Sequence, residues 1–77
     1  MNDIEKFLVK AFCDVCELDN DEFGIDELLD SCEEWDSLNL LSLLTEIDDK
    51  YGVTIAADKV DDFKTLKDFA EHIEKVF

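Results

Sequence analysis

The chain has 77 residues and a mass of 8.9 kDa, which fits one small domain spanning residues 1–77 and leaves no room for a second. Its 22 acids face only 7 bases, all lysine, and the net charge of -15 opposes binding to nucleic acid or to anionic membranes. Hydrophobic residues make up 47% of the chain, too many for an acidic disordered tail, and no apolar run reaches membrane-spanning length.

The opening MNDIEKFL carries an early acid and no apolar h-region, so the expectation is a chain without a secretory signal, working in the cytoplasm. Ile4, Phe7, Leu8, Ala11, Phe12 and Val15 then recur at helical spacing. Asn2 with Glu5 has the form of a capping box, and the spacing predicts a first helix over about 3–17. Cys13 and Cys16 fall inside this helical pattern as a lone CxxC, with Cys32 as the odd third cysteine. A redox dithiol normally sits where a strand meets a helix, and a structural zinc site needs four ligands. The single histidine, His72, is near the other end of the chain, so ordinary thiols are expected, one of them semi-buried, with His72 on a solvated flank. No metal site is expected.

The next stretch, LDNDEFGIDELLDSCEEW, is acidic and only partly periodic. It reads as a long structured loop with one short turn of helix, packing Phe23, Ile25, Leu28 and Leu29 inward. Asp19, Asp21, Gly24 and Asp30 fall at positions 1, 3, 6 and 12 of an EF-hand loop. The match fails at the fifth position, Phe23, which has no oxygen side chain, and at the twelfth, where aspartate is shorter than the usual bidentate glutamate. Weak divalent binding by clustered carboxylates is the more economical reading.

Asp36-Ser37 opens the second clear helix, which ends near Tyr51 and is stopped by Gly52. Its Leu38, Leu40, Leu41, Leu43, Leu44 and Ile47 are apolar on more than one face. One face enters the core; the other is either a contact surface or ligand groove, or is wrapped on two sides by a small bundle. Val53-Thr54-Ile55 is too short for a sheet and reads as an extended link. Residues 57 to 60 or 61 form a brief third helix with Phe63 behind it. Thr65 with Asp68 is a second capping box, and Leu66, Phe69, Ala70, Ile73 and Val76 mark a last helix. Three longer helices and one short one close a single core most simply as an all-α, unequal four-helix bundle.

Charge is uneven along this frame. Residues 11–49 carry 14 acids and no base, whereas residues 50–77 carry 6 acids and 5 lysines. A solvated face is the plain reading of a charge run, but a span without one cation repels itself. Steering a basic protein partner would be a reason to keep it, and divalent cations would relieve it.

Enzymatic chemistry finds little support. General acid–base work needs two groups with separated pKa values in a cleft, and nothing selects a pair among so many acids. Ser37 has no base in evidence, since His72 lies on another helix. Ser37 does stand at a helix start, where free backbone N–H groups and the helix dipole favour an attached phosphate. A hydroxyl exposed there suits a phosphodiester-linked group, and a leucine-rich helix leading away from it could guide an apolar cargo.

With Asp36-Ser37-Leu38 set in WDSLNLLSLLTEIDDKYGVTI, then a short third helix, then a last helix opened by DDFKTLKDF, the sequence resembles an acyl carrier protein of the stand-alone type along essentially its whole length. The resemblance implies an acyl-carrier-like bundle of right-handed type. It implies that Ser37 carries 4′-phosphopantetheine, transferred from coenzyme A by a holo-carrier synthase (a phosphopantetheinyl transferase), with Asp36 orienting the synthase. The arm's thiol would hold an acyl group as a thioester, and the protein would ferry it without catalysing anything, as a monomer binding neither nucleic acid nor membrane. Implied partners are an acyl- or aminoacyl-loading enzyme and acyltransferases or synthases with basic docking patches. They would read Glu46, Asp48 and Asp49 together with Leu38 and Leu41. The implied cargo cavity is lined by Leu41, Leu44, Ile55, Val60 and Phe63, with Leu66 nearby.

Departures from the family pattern argue for a specialised pathway rather than housekeeping fatty-acid synthesis. Asn39 stands where such carriers usually have an acid, Ser42 where they have a glutamate, Ala56 where a proline is common, and Trp35 where a small residue is usual. An aminoacyl or peptidyl carrier, including the D-alanyl type, is the alternative, with Thr45 and bulky Phe63 narrowing the interior. An unmodified acidic protein-interaction module is the other.

Overall fold

The computed structural model describes residues 2–77, Ala57 by its backbone only. Four helices follow in order: α1 (Asp3–Val15), α2 (Ser37–Tyr51), α3 (Ala57–Val60) and α4 (Leu66–Val76), with a single 3-10 turn at Leu29–Ser31 before α2. The expected all-helical bundle of three longer helices and one short one is the observed architecture, with no strand among the described residues.

Side chains at the helix ends account for most of these limits. Asn2 and Glu5 form the reciprocal box at the start of α1, with Glu5 N–H donating to Asn2 Oδ1 at 2.8 Å and Asn2 N–H to Glu5 Oε1 at 3.0 Å. Thr65 and Asp68 do the same for α4. Gly52 ends α2 in the left-handed region at φ 68, a conformation free of strain only without a Cβ.

α1 stops at Val15, two residues short of the expected end. Glu17 adopts φ 60, and Leu18 N–H donates to Cys13 O at 2.7 Å while Glu17 N–H donates to Asp14 O at 3.3 Å. This is a Schellman closure with glutamate where glycine is usual, so no residue type in the sequence marks it.

Helices α2 and α4 both pack on α1, and the three share one core. Its most deeply buried side chains are Leu8, Phe12, Cys13, Leu43, Ile47, Leu66, Phe69 and Ile73. Val53 and Ile55 of the extended link are buried too. The α1–α2 loop closes one side: Phe23 lies against Phe12 with ring centroids 4.4 Å apart, and Ile25 packs on the core. Leu28, expected inside, is instead 59% exposed. Its backbone is paired with Thr65 in an isolated antiparallel bridge, which turns the Leu29 side chain inward and leaves Leu28 pointing out. Leu29 N–H donates to Lys64 O at 2.9 Å and Lys67 N–H to Ile25 O at 3.1 Å, so the loop is tied by main chain to the start of α4.

Candidate functional site

The site is built on the first turn of α2. Asp36 is extended, and its Oδ1 accepts from Asn39 N–H at 2.9 Å while its carbonyl accepts from Leu40 N–H at 2.9 Å. Ser37 is therefore the first helical residue, and it is exposed. Helix geometry leaves the N–H groups of Ser37 and Leu38 without an intrahelical carbonyl, at the positive end of the dipole. The first turn of α2 carries no acid. An exposed hydroxyl at such a position has room for a phosphodiester, whose anion would meet free donors there.

The two apolar faces of α2 are both accounted for. Leu43 and Ile47 are fully buried, Leu40 and Leu44 pack partly on the core, and Leu38 and Leu41 point outward at 74% and 59% exposure. Asp48 and Asp49 are exposed and Glu46 is half-buried. Thr54 Oγ1 donates to Asp48 Oδ1 at 3.4 Å. Thr45 does not face the interior, contrary to expectation. It is exposed, and its hydroxyl donates to Leu41 O at 2.9 Å within the helix, so it cannot narrow a cavity.

A cleft of about 210 Å³ lies beside the start of α2, between Trp35 and Leu40 on one side and Val60, Asp61, Phe63 and Lys64 on the other, with Leu29 and Asp30 completing it. Of the six residues expected around a cargo cavity, Val60 and Phe63 line this cleft. The others lie elsewhere: Leu41 faces solvent, Leu44 rests on the core, and Ile55 and Leu66 are buried within it. The ring of Phe63 is held edge-on to Phe69 with centroids 4.7 Å apart.

Cys13 and Cys16 are buried and Cys32 is half-buried, all as free thiols. Burial, and then the neighbouring Cys32 thiol, push Cys16 up to about 12, and burial likewise raises Cys13. Thiols held protonated in this way are poor nucleophiles. His72 is half-buried rather than fully solvated, with its ring tilted against Phe63 at 5.6 Å. In the EF-hand-like stretch, Glu22 and Glu27 accept from the N–H groups of Asp19 and Gly24, and Phe23 is turned into the core. Among the described residues, no group of three or more His, Cys, Asp or Glu side chains is arranged to hold a metal ion. No described helix is long and apolar enough to cross a membrane.

One feature of the site has no counterpart in the sequence reading. Asn39, noted there only as a missing charge, is half-buried, and its Nδ2 donates to Glu34 O at 2.6 Å and to Cys16 Sγ at 3.8 Å. Nothing in the sequence marks a partner for it.

No curated protein matches the chain. The family model described as the phosphopantetheine attachment site matches residues 6–73, which takes in all of α2 and α3 and most of α1 and α4. The chain belongs to this family, the phosphopantetheine-binding carrier proteins, whose covalent cofactor is 4′-phosphopantetheine.

Proposed function

We propose that Ser37 carries the 4′-phosphopantetheine arm and that the protein presents an acyl group, held as a thioester on that arm, to successive partner enzymes of a specialised pathway. The observation that carries this reading is the exposed Ser37 hydroxyl on the first residue of α2, directly after the Asp36 cap and within the Asp36-Ser37-Leu38 motif. The arm supplies the reactive thiol when present. The chain's own residues supply the attachment oxygen, its presentation and the docking surface, and the protein catalyses no reaction itself.

A holo-carrier synthase would engage Ser37 and Asp36 first. Later partners with basic patches would then meet the outward pair Leu38 and Leu41 and the acids Glu46, Asp48 and Asp49. The protein would work in the cytoplasm as a monomer.

The cleft favours a small cargo. At about 210 Å³ it is below the roughly 300–1,000 Å³ of pockets that enclose drug-sized ligands. The same cleft favours the second reading, an aminoacyl carrier of the D-alanyl type, whose cargo needs no deep interior.

The attachment is tested by incubating the apo protein with coenzyme A and a permissive phosphopantetheinyl transferase, then recording intact mass. One phosphopantetheine addition is expected, and none in Ser37→Ala. No gain, or an equal gain in the variant, overturns the reading. Offering the holo protein competing acyl and aminoacyl donors separates the two cargo classes.

A further inference from the structure

We infer that Asn39 is the positioning residue of the attachment site, acting through its neutral side-chain amide to hold the 34–37 approach against the end of α1. The inference rests on Ser37 being the attachment residue.

Three bonds converge on Asn39. Its Nδ2 donates to Glu34 O at 2.6 Å and to Cys16 Sγ at 3.8 Å, and its backbone N–H donates to Asp36 Oδ1 at 2.9 Å. The side-chain bond to Glu34 O closes a ring that runs from residue 34 to residue 39, and Ser37 lies within it. The second bond joins this ring to Cys16, the C-cap residue of α1. Trp35 fixes the other flank: its ring lies against Phe12 at 5.0 Å, and its N–H donates to Cys32 O at 3.2 Å. The backbone that presents the hydroxyl is thereby tied on both sides before any partner arrives.

Only a donor can fill this role. A carboxylate at position 39 would set an oxygen against the Glu34 carbonyl where a bond of 2.6 Å now exists, and both side-chain bonds would be lost. An amide also avoids placing a second carboxylate next to that of Asp36, which already caps this end of α2. The rival account treats position 39 as a docking charge that is simply missing. The two accounts differ in sign for one substitution. Asn39→Asp restores the charge but breaks the ring, whereas Ser42→Asp adds the same charge at an exposed position on α2 with no part in the ring.

The test measures amide hydrogen exchange of the apo protein, and kcat and KM of a phosphopantetheinyl transferase for it, in the wild type, Asn39→Asp, Asn39→Ala and Ser42→Asp. Breaking the ring is expected to speed exchange of the bonded amides of residues 35, 39 and 40 about tenfold in both Asn39 variants, with residues 69–73 unchanged. It is also expected to lower kcat/KM about tenfold, mainly through kcat. Ser42→Asp is expected to leave exchange and kcat unchanged. If Asn39→Asp loses protection at residues 69–73 as well, Asn39→Ala is read by the same criteria. Unchanged exchange in the Asn39 variants, or a gain in kcat/KM in Asn39→Asp alongside Ser42→Asp, would overturn the inference. A wild-type protein that gains no mass would overturn the attachment reading itself. In that case fast exchange in the Asn39 variants would leave the ring as architecture alone.

Discussion

Phe12 of α1 and Trp35, two residues before Ser37, meet ring to ring with centroids 5.0 Å apart and planes inclined at 38°. The same Phe12 also bears on Phe23, so one fully buried ring joins the helix, the loop and the approach to the candidate attachment residue. Because Trp35 is only half-buried, truncating it should cost less than a full core deletion. Trp35→Ala is expected to lose about 2–3 kcal/mol in denaturant unfolding, and Trp35→Phe under about 1.5 kcal/mol. A loss within the error of the measurement for Trp35→Ala would show that this stack holds nothing together.

The left-handed backbone at Glu17 leads to a stabilising substitution. A side chain there carries strain that glycine does not, and Glu17→Gly also removes one acid from the crowded span. A gain of about 0.5–1 kcal/mol is expected, read as a shift of the urea midpoint without a change in slope. Destabilisation would mean that the strain is absent or that the unfolded chain gains more freedom than the fold gains relief.

The buried thiol of Cys16 sets a pH dependence with a definite sign. Its folded-state value is raised from 9.0 to about 12, so the folded protein holds this proton more tightly than the unfolded chain does. That contribution to stability is present in full below pH 9 and is lost as the pH climbs toward 12. Cys16→Ala should therefore lose less stability than the wild type between pH 8 and pH 11 (both values about one unit inside or outside that window). Parallel melting curves for the two proteins across that range would contradict the assignment. Alkylation of the native protein near neutral pH should label Cys32 ahead of Cys13 and Cys16, as read by peptide mass mapping.

Self-repulsion is the fourth expectation. The span of 14 acids without a base meets, among the described residues, one ion pair, Lys10 with Asp14 at 3.5 Å, and it is exposed. Millimolar magnesium or mild acidification should raise the melting temperature by several degrees, roughly the 4–8 °C that 1 kcal/mol gives a domain of this size. A melting temperature indifferent to both would remove repulsion from the account of stability.

The proposed docking surface makes opposite demands on stability and binding. Leu38 and Leu41 are exposed, so replacing both with alanine should change unfolding by no more than about 0.5 kcal/mol each while weakening partner or transferase binding. Neutralising Asp48 and Asp49 together should weaken binding more at low salt than at high salt. Equal loss at every ionic strength would argue that these acids act by shape rather than charge.

Legibility of the fold follows the chemistry of its joints. Helix ends closed by side chains, at Asn2 and Glu5, Asp36, and Thr65 with Asp68, and the end closed by the left-handed backbone of Gly52 stand where the sequence places them, because those residue types are selected for capping. The end of α1 is not legible, because its closure uses only backbone groups and an atypical glutamate. Leu28 is misjudged for the same reason: a bridge to Thr65 turns it outward, and no local pattern records a pairing so distant in the chain. Ser37 stands out in the sequence because a short motif coincides with a helix start. The cleft does not, since spacing along α2 cannot tell that Leu41 faces solvent while Leu40 flanks the opening. Asn39 reads as a departure until its two side-chain partners, one of them 23 positions away, are seen.

The main-chain ties from Ile25 and Leu29 to Lys67 and Lys64 make no demand on side-chain identity. An engineer could therefore recolour the outward positions of that segment, from acidic to neutral or basic, and keep the same scaffold.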